Sequence, residues 1–457
     1  MPPMPLRDAC AAASHAAEFG AVFYSGAIGG WAPGSFMLSS PKAMFQVSMG
    51  EEVEPQEGSR ASIFKKLEEA VHSEPDLVWA GFISYDAGRF IETIPSIAAR
   101  DRPLPFVFFV GYDSVIPVIS EENRAPNASA RFDFSTNHRA GKLDMDGPSC
   151  LASLEELPTG WKESLGRSEY EKVVLDALER IKAGDFYQVN VARRISAPCL
   201  RDPREDAIDA FVFVCDVLLP PRGCFLAWND AFVVSGSPEL FLSVTGRNVF
   251  TKPIKGTFGR WRTRTASDLD VGRLRLLTSD KDKAENVMIV DLLRNDLGKI
   301  SEYGSVKVPA LFHVETFPAV HHLVSTVTAT LRKDVSLADL LEATFPGGSI
   351  TGAPKVAAMR FIESVERVRR GVYTGAIGYV DPSHRLSNSL GMQNTAPTIE
   401  FSVAIRTLVL WEGWWDLWVG GGIVADSDPV VEWQETVEKS RGLVPVLAGF
   451  TTAPPRP

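Results

Sequence analysis

Two segments of the chain carry acidic side chains at helical spacing. In SDKDKAENVMIVDLLRND, Asp282 and Glu285 lie three residues apart and share one face of a helix. In DSDPVVEWQETVEKS, Glu432, Glu435 and Lys439 fall at i, i+3 and i+7, again on one face. Oxygen ligands from two elements suit Mg²⁺, which takes one or two carboxylates and keeps several waters. The same spacing is typical of solvated acidic helix faces, and spacing alone favours that interpretation.

A lysine occupies an unusual position in the strand-like run TKPIKGTF. Alternation places Thr251, Pro253 and Lys255 on one face, with Lys252 and Ile254 on the other. If Lys252 is solvated, Lys255 points inward. A buried amine loses part of its affinity for a proton and becomes available as a nucleophile or base. A lysine that snorkels to the surface fits the same pattern.

Other candidates lie in apolar or glycine-rich segments. Arg406 interrupts the apolar strand FSVAIRTLVL, as either an edge ion pair or an anion receptor, and structural pairing is the commoner case. His322 in AVHHLVSTV fits a core histidine better than a catalytic one. The turns FPGGSITGAPK, with Thr351 as helix N-cap, and VGGGIVADSD offer backbone N–H groups to an anion, or are only tight turns.

Strands interrupted by several long helices must position these groups. SEYEKVVLDALERIKAGD predicts a helix with a capping box at Ser168 and Glu171 and a C-terminal cap at Gly184. Asp428 and Pro429 predict the start of the second acidic helix. Alternating runs such as FYQVNVARRIS and NVFTKPIKGTF predict strands. The order indicates a mixed α/β or α+β body without the regular βαβ series of a Rossmann fold.

Composition sets the broad class and the domain organisation. The chain has 457 residues and a formal net charge of −10, which argues against nucleic acid or an anionic membrane as the main partner. No apolar stretch approaches the roughly 20 residues that span a bilayer. The five cysteines form no CxxC pair, which favours reduced thiols and a cytoplasmic location. The polar segment 121–164 predicts a linker between an N-terminal region, 1–120, and a larger domain, 165–450.

The order of these segments resembles the chorismate-utilising enzymes, which include component I of anthranilate synthase and of aminodeoxychorismate synthase. The resemblance extends from about residue 165 to residue 450. It depends on YQVNVARR, SGSPELFL, PIKGT, KDKAENVMIVDLLRNDLG, HHLVSTV, FPGGSITGAPK, YTGAIGY and GGGIVADSDPVVEWQETVEKS. GFISYDAGR is the clearest match in the first 120 residues. The resemblance implies antiparallel sheets packed as a sandwich with helices outside, and chorismate bound with Mg²⁺ between sheets and helices.

The resemblance also implies roles for particular side chains. Glu285 and Glu435 match direct Mg²⁺ ligands, and Asp282 and Glu432 match acids that reach the metal through water. Glu239 matches the acid that protonates the departing C4 hydroxyl, with His322 against the same part of the ring. The implied substrate-binding positions are Thr257, Tyr373, Arg406, Gly420, Gly421, Gly422 and Lys439, of which Tyr373 and Arg406 match those that hold the enolpyruvyl carboxylate.

Two positions distinguish branches of this family. Anthranilate synthases resemble PIAGT where this chain has PIKGT, the form characteristic of aminodeoxychorismate synthases. The implied reaction is attack of Lys255 on C2 of chorismate with loss of the C4 hydroxyl, followed by addition of ammonia at C4. Isochorismate and salicylate synthases carry a lysine base at the position of Gln188, so hydration at C2 is not expected.

The sequence leaves the ammonia source outside the chain. None of the five cysteines lies in a G-x-C-x-G turn, so the resemblance implies a separate glutamine amidotransferase subunit. The product, 4-amino-4-deoxychorismate, would serve 4-aminobenzoate and folate synthesis. Two alternatives stay open: component I of anthranilate synthase, against which Lys255 argues, and a non-catalytic relative that binds chorismate or tryptophan.

Overall fold

The computed structural model covers most of the chain. It describes residues 3–15, 19–26, 31, 34–48, 63–119, 157–259, 266–316, 320–392 and 397–449. The predicted linker at 121–164 therefore lies largely outside the described residues.

Strands make up the centre of the molecule and helices its outside. The strands are β1 (Met4–Pro5), β2 (Phe19–Tyr24), β3 (Phe36–Val47), β4 (Val78–Ile83), β5 (Val107–Ile119), β6 (Lys162–Glu163), β7 (Gln188–Pro198), β8 (Arg222–Trp228), β9 (Ala231–Ser237), β10 (Leu240–Thr245), β11 (Asn248–Lys252), β12 (Ile254–Gly259), β13 (Lys307–Thr316), β14 (Val320–Thr330), β15 (Gly352–Ala353), β16 (Ala376–Val380), β17 (Ile399–Val403), β18 (Thr407–Trp411) and β19 (Trp414–Ile423). The α-helices are α1 (Leu6–His15), α2 (Ile63–Ser73), α3 (Arg167–Ala183), α4 (Pro203–Leu218), α5 (Ala266–Thr278), α6 (Asp280–Gly298), α7 (Leu337–Thr344), α8 (Lys355–Val365), α9 (Arg385–Leu390), α10 (Pro429–Ser440) and α11 (Val444–Leu447). Short 3₁₀ helices span Tyr85–Phe90 and Gly348–Ile350.

Pairing joins these strands into one long antiparallel path. From β13 the path continues through β14, β11, β10, β17, β16, β4, β5, β3, β2, β8, β9, β18 and β19 to β7. Strand β12 pairs with β14, while β6 and β15 pair with β7. Only β1 beside β5 is parallel among the described strands. Within the described residues the two ends of the path do not pair, so the sheet is open.

The path folds on itself as a sandwich, because each central strand buries both of its faces. In β4, Val78, Ala80 and Phe82 lie in a core formed almost entirely by strand residues, whereas Trp79 and Ile83 lie in a core lined by helices. Strands β8 and β9 divide in the same way between the strand core and a second helix-lined core that includes α1 and α4. The expected antiparallel sandwich with outer helices is therefore confirmed. Burial on both faces explains why these strands read as continuous apolar runs.

N-terminal and C-terminal strands share this sheet. Strand β2 pairs with β8, and β4 pairs with β16, so hydrogen bonds cross the predicted boundary between 1–120 and 165–450. The division into two domains stays a prediction. Among the described residues, no helix is long and apolar enough to span a membrane.

Two of the predicted helix ends agree with the structure. The Asp428 side chain accepts hydrogen bonds from the N–H groups of Val430 and Val431 and so caps α10 as predicted. Gly184 ends α3 in the left-handed conformation, also as predicted. The capping box predicted for this helix was wrong. Helix α3 begins earlier, where the Glu169 carboxylate accepts a hydrogen bond from the Gly166 N–H at 3.2 Å.

Candidate active site

Strand β12 carries Lys255 past the beginning of α6. Strict alternation fails here, because Pro253 separates β11 from β12 and the pairing of β12 with β14 shifts between Ile254 and Thr257. Gly256 takes φ = +82°, and a Cβ there would lie 3.1 Å from Cγ of Asp282. Lys252 pairs with Glu315 at 2.9 Å near the surface, as its predicted outward orientation requires. Lys255 is half-buried and lies on the other side.

The Lys255 amine lies against the glycine-rich end of β19. Lys255 Nζ is 3.3 Å from the point where a Cβ on Gly422 would sit, and Gln188 Nε2 is 2.6 Å from the same point. A side chain at 422 would therefore displace the Gln188 amide and crowd the Lys255 amine. Gln188 is fully buried, and within the described residues neither polar atom of its side chain has a hydrogen-bond partner. The amine and this amide share a small polar space beside the strand.

Glu239 is a buried acid, and the positive charge of Lys255 is close enough to lower its pKa. Burial raises the pKa of Glu239 to about 7, against the opposing effects of Ser349, Lys255, the Ile254 N–H and Arg222. Ser349 Oγ donates a hydrogen bond to Glu239 Oε1 at 2.6 Å. Since the residue is only 4% exposed, the carboxyl group can hold a proton near neutral pH and deliver it to a bound molecule.

His322 lies beside β12 as a neutral imidazole. Thr257 and His322 face each other across β12 and β14, and Thr257 Oγ1 is 2.9 Å from His322 Nδ1. Burial lowers the pKa of His322 well below its ordinary value, and the positive charge of Arg406 lowers it further. The ring is therefore uncharged at neutral pH and acts by hydrogen bonding or contact.

Arg406 resembles an anion receptor more than an edge ion pair. No hydrogen bond or ion pair to its guanidinium is found in the part of the chain that the structure describes. Burial alone lowers the pKa of Arg406 to about 10. Its backbone takes φ = +50°, a conformation that side-chain-bearing residues seldom adopt and that clusters at functional sites. A half-buried guanidinium that makes no ion pair within the described residues suits a carboxylate ligand.

Tyr373 contributes an aromatic wall. Its ring stacks on Trp418 with centroids 5.6 Å apart and planes within 7° of parallel, and the Arg370 guanidinium lies 5.9 Å from its centroid. Burial raises the pKa of Tyr373, so the phenol stays protonated and can donate a hydrogen bond.

Helices α6 and α10 bring their acids towards each other. Burial raises the pKa of Glu285, and the charges of Asp282 and Glu435 add to the rise. Burial also raises the pKa of Glu432, whose carboxylate accepts a 2.6 Å hydrogen bond from the Ser427 hydroxyl. The four predicted acids therefore belong to one electrostatic neighbourhood, and the interpretation as two unrelated solvated faces is not supported.

Lysines partly neutralise these acids. Lys439 pairs with Glu435 at 2.6 Å and holds its pKa below the usual value. Lys439 Nζ also donates to the Gly420 carbonyl at 2.8 Å, so both of these contacts are internal to the protein. Lys281, which the sequence did not single out, lies 3.6 Å from Glu432.

The glycines of β19 make room for the acids. A Cβ on Gly421 would sit 3.1 Å from Glu432 Oε2 and 3.8 Å from Glu435 Oε1, whereas one on Gly420 would strike the Val191 carbonyl at 2.4 Å. Gly421 therefore faces the acids of α10, and Gly422 faces Lys255 and Gln188.

The donor set fits a hard divalent cation. Mutually repelling carboxylates from two helices, compensated by lysines, present the oxygen donors that Mg²⁺ takes. Among the described residues no group of three or more His, Cys, Asp or Glu side chains is close enough to hold a metal ion. Mg²⁺ commonly uses one or two protein carboxylates and water for the rest of its coordination.

The helix N-cap predicted at Thr351 was wrong. Helix α8 begins at Lys355 with Pro354 at its N-cap, and the Thr351 hydroxyl instead donates to the Gly347 carbonyl at 2.9 Å. The turn is buried and presents Ser349 to Glu239. The sequence did not single out Ser349, although its place directly after Gly347 and Gly348 and shortly before Gly352 was a visible signal.

Comparison with known proteins decides the family. The family described as chorismate binding enzyme matches residues 21–445. The chain belongs to that family. Aminodeoxychorismate synthase component 1 of Klebsiella aerogenes is 39% identical over 359 residues, which cover 79% of this chain and 74% of the relative. An anthranilate synthase component 1 of Haloarcula marismortui is 36% identical, covering 86% of this chain and 82% of the relative.

The crystal structure of anthranilate synthase component I from Streptococcus pneumoniae superposes with a TM-score of 0.67 at 28% identity, covering 90% of this chain and 91% of that one. Membership of the family makes the chain an enzyme that acts on chorismate.

Proposed function

We propose that this chain is component 1 of an aminodeoxychorismate synthase and catalyses amination of chorismate at C4. The observation that carries the proposal is the position of the Lys255 amine. It lies beside Gly422 and Gln188, and its charge acts on Glu239, Glu285 and Glu435. The 39% identity to the Klebsiella aerogenes enzyme supports the same assignment.

The proposed reaction has two displacements. Lys255 Nζ forms a bond to C2 of chorismate, the ring double bonds shift, and the C4–O bond breaks as Glu239 protonates the departing hydroxyl, which leaves as water. Ammonia then forms a bond to C4, the double bonds shift back, and the C2–Nζ bond breaks to release the lysine. The new C4 ammonium returns a proton to Glu239. Covalent catalysis in this way divides one difficult substitution into two easier steps. The net change is chorismate plus ammonia to 4-amino-4-deoxychorismate plus water.

Substrate orientation follows from the charges around the site. The Arg406 guanidinium, which has no ion-pair partner among the described residues, would bind the enolpyruvyl carboxylate, with the Tyr373 phenol as a second donor. The neutral His322 ring, held by Thr257, would pack against the reacting edge of the substrate. These contacts would fix C2 near Lys255 and C4 near Glu239, which is the positioning that raises a reaction rate.

Mg²⁺ is part of the proposal. Glu285 and Glu435 would hold it directly and Asp282 and Glu432 through water, with the Gly420–Gly422 backbone and Lys439 nearby. When bound, it would offset the charge of the ring carboxylate and polarise the ring. A cation between the two helices would reduce the mutual repulsion of Glu285, Glu432 and Glu435, which adds to burial in raising the pKa of Glu285 and of Glu432.

Ammonia would come from a separate glutamine amidotransferase subunit, with free ammonium as a substitute in vitro. The relatives' designation as component 1 supports such a partner. We further propose that the product feeds 4-aminobenzoate and folate synthesis. The free thiols of Cys10, Cys199, Cys215 and Cys224 suit a reducing cytoplasm.

Product identification by mass spectrometry tests the function. The purified chain is incubated with chorismate, Mg²⁺ and ammonium, with and without an added aminodeoxychorismate lyase. We expect a product that the lyase converts to 4-aminobenzoate. Anthranilate instead would overturn the assignment and favour the second candidate, which the Haloarcula marismortui relative supports. Absence of turnover, repeated with a glutaminase partner present, would indicate a chorismate-binding regulator.

A further inference from the structure

The buried turn between α7 and α8 has a specific relation to the acid of the site. We propose that Ser349 is a positioning residue that aims the Glu239 carboxyl group at the leaving hydroxyl. This inference rests on the function proposed above and adds to it a residue whose role is to orient the proton donor.

Ser349 and the Ile254 N–H restrain the carboxyl group of Glu239, which the bonds of its own main chain leave free. The Glu239 N–H donates to Ser237 Oγ at 3.2 Å, and its carbonyl accepts from the Val403 N–H at 3.0 Å. These bonds hold the main chain but not the side-chain torsions. The 2.6 Å hydrogen bond from Ser349 Oγ to Oε1 restrains the carboxyl group itself. Both residues are almost wholly buried, so solvent does not compete for this bond.

The turn that carries Ser349 is braced on two sides. A Cβ on Gly348 would sit only 2.4 Å from Leu292 Cδ2 of α6, so the turn packs tightly on the helix that bears the acids. The Thr351 carbonyl accepts from the Asn190 N–H of β7 at 2.8 Å. Ser349 therefore has little freedom to move away, which is what a positioning group requires.

The charges and donors around Glu239 make the contribution of Ser349 measurable. Lys255 and the Ile254 N–H face the carboxyl group from β12, and Arg222 faces it from β8. Arg222 is itself 3.7 Å from Glu400. All of these lower the pKa of Glu239 against the effect of burial, and Ser349 makes the largest of these contributions. Loss of the hydroxyl therefore raises the pKa of Glu239 and leaves its carboxyl group with the Ile254 N–H but without the Ser349 donor.

The experiment compares Ser349→Ala with Ser349→Thr, which keeps the hydroxyl. Initial rates of chorismate consumption are measured between pH 5.5 and about 9 at constant free ammonia, a range chosen to bracket the ordinary and raised carboxyl pKa values. We expect kcat of the alanine variant to fall roughly tenfold with KM unchanged, since an interaction with the proton donor is lost and not one with the substrate. The alkaline limb should move upward by about one pH unit, the size expected for a lost hydrogen bond to a charged group. The threonine variant should retain the wild-type limb.

A double-variant cycle separates positioning from structure. If Ser349 acts through Glu239, adding Ser349→Ala to Glu239→Gln should change the residual rate by less than about twofold. An unchanged alkaline limb in Ser349→Ala, or an equal loss of rate in the Glu239→Gln background, would overturn the proposal. Should the alanine variant not fold, Ser349→Cys, of similar size but a weaker donor, must shift the limb in the same direction. Product identity in the wild type reports separately on the proposed function.

Discussion

The ionisable groups around Lys255 differ in charge because their surroundings differ. Burial raises the pKa of Glu239 to about 7, whereas Lys439 holds the pKa of Glu435 below its usual value. One carboxyl group is thereby suited to donate a proton and the other to stay ionised as a ligand. Burial keeps His322 neutral, so it does not compete with Arg406 for an anion. The division of roles follows from environment and not from residue type.

Replacement of Lys255 tests the nucleophile. Lys255→Ala should lower C4 amination by roughly 10³-fold or more, because it removes a covalent step and not only a contact. Chorismate binding, measured by calorimetry with Mg²⁺ present, should change by only a few fold. Lys252→Ala is the matched control, since Lys252 lies three residues earlier in β11 and its amine pairs with Glu315 near the surface. Full amination activity in Lys255→Ala would remove the nucleophile assignment.

The pH dependence of turnover tests Glu239. A general acid must be protonated to act, and the raised pKa of about 7 means that Glu239 keeps its proton up to neutral pH and loses it above. We therefore expect kcat at constant free ammonia to fall about tenfold per pH unit well above that pKa. A flat profile from pH 6 to about 9, a range set to bracket the shifted carboxyl pKa, would rule out this role.

Secondary-structure elements deliver these groups from several parts of the chain. Strand β12 brings Lys255, α6 and α10 bring the acids, and the turn before α8 brings Ser349. Strand β19 contacts both sets of groups through its glycines, the acids of α10 at Gly421 and Lys255 at Gly422. These elements pack against one another at the site. A methyl group added to a glycine of β19 should therefore displace the side chains that contact that glycine.

Gly422→Ala tests the contact of β19 with Lys255 and Gln188. Its methyl group would lie 2.6 Å from Gln188 Nε2 and 3.3 Å from Lys255 Nζ, so one or both must move. Displacement of a reacting group by about 1 Å costs on the order of 10²-fold, and we expect a loss of kcat/KM of that size. Gly298→Ala, at the end of α6 with open space around it, should leave activity unchanged. Wild-type kinetics in Gly422→Ala would show that the strand does not constrain Lys255.

Glu435→Gln tests the proposed metal ligand. It removes a negative charge from the neighbourhood of Glu285 and Glu432, so Mg²⁺ affinity measured by calorimetry should fall about tenfold or more. Glu438→Gln on the same helix, where Glu438 pairs with Arg441 at 2.9 Å, should keep wild-type affinity. Equal Mg²⁺ binding by both variants would contradict the ligand role.

The site depends on a sheet whose strands come from both the N-terminal and the C-terminal parts of the chain. Strand β4 pairs with β16, and the strand core joins β2 to β5 with β8, β9 and β16. The buried network around Arg370, Glu366 and the 3₁₀ helix at Tyr85 crosses the same region. Unfolding of the N-terminal strands should therefore remove support from the catalytic strands.

Phe82→Ala tests this shared core. Phe82 is fully buried against Phe108 and Trp228, with ring centroids 5.7 Å and 5.4 Å away. We expect the free energy of unfolding to fall by about 3–5 kcal/mol, with activity and near-ultraviolet circular dichroism lost at the same temperature. Leu200→Ala, at a residue that is 76% exposed, should change stability by less than about 0.5 kcal/mol. Two separate transitions in Phe82→Ala would show that the strands do not form one cooperative unit.

Residue types and their order were enough to identify the family, the antiparallel sandwich and the candidate acids, because long motifs and apolar periodicity are local properties. They also predicted the Asp428 and Gly184 caps, which depend on contacts within a few residues. Three features required the tertiary structure. They are the irregular register of β12 around Pro253 and Gly256, the approach of α6 to α10, and the hydrogen bond from Ser349 to Glu239. Those features join residues about a hundred positions apart or more, or depend on a register shift between strands. Alternation and helical spacing carry no information about such contacts, because chain packing decides them.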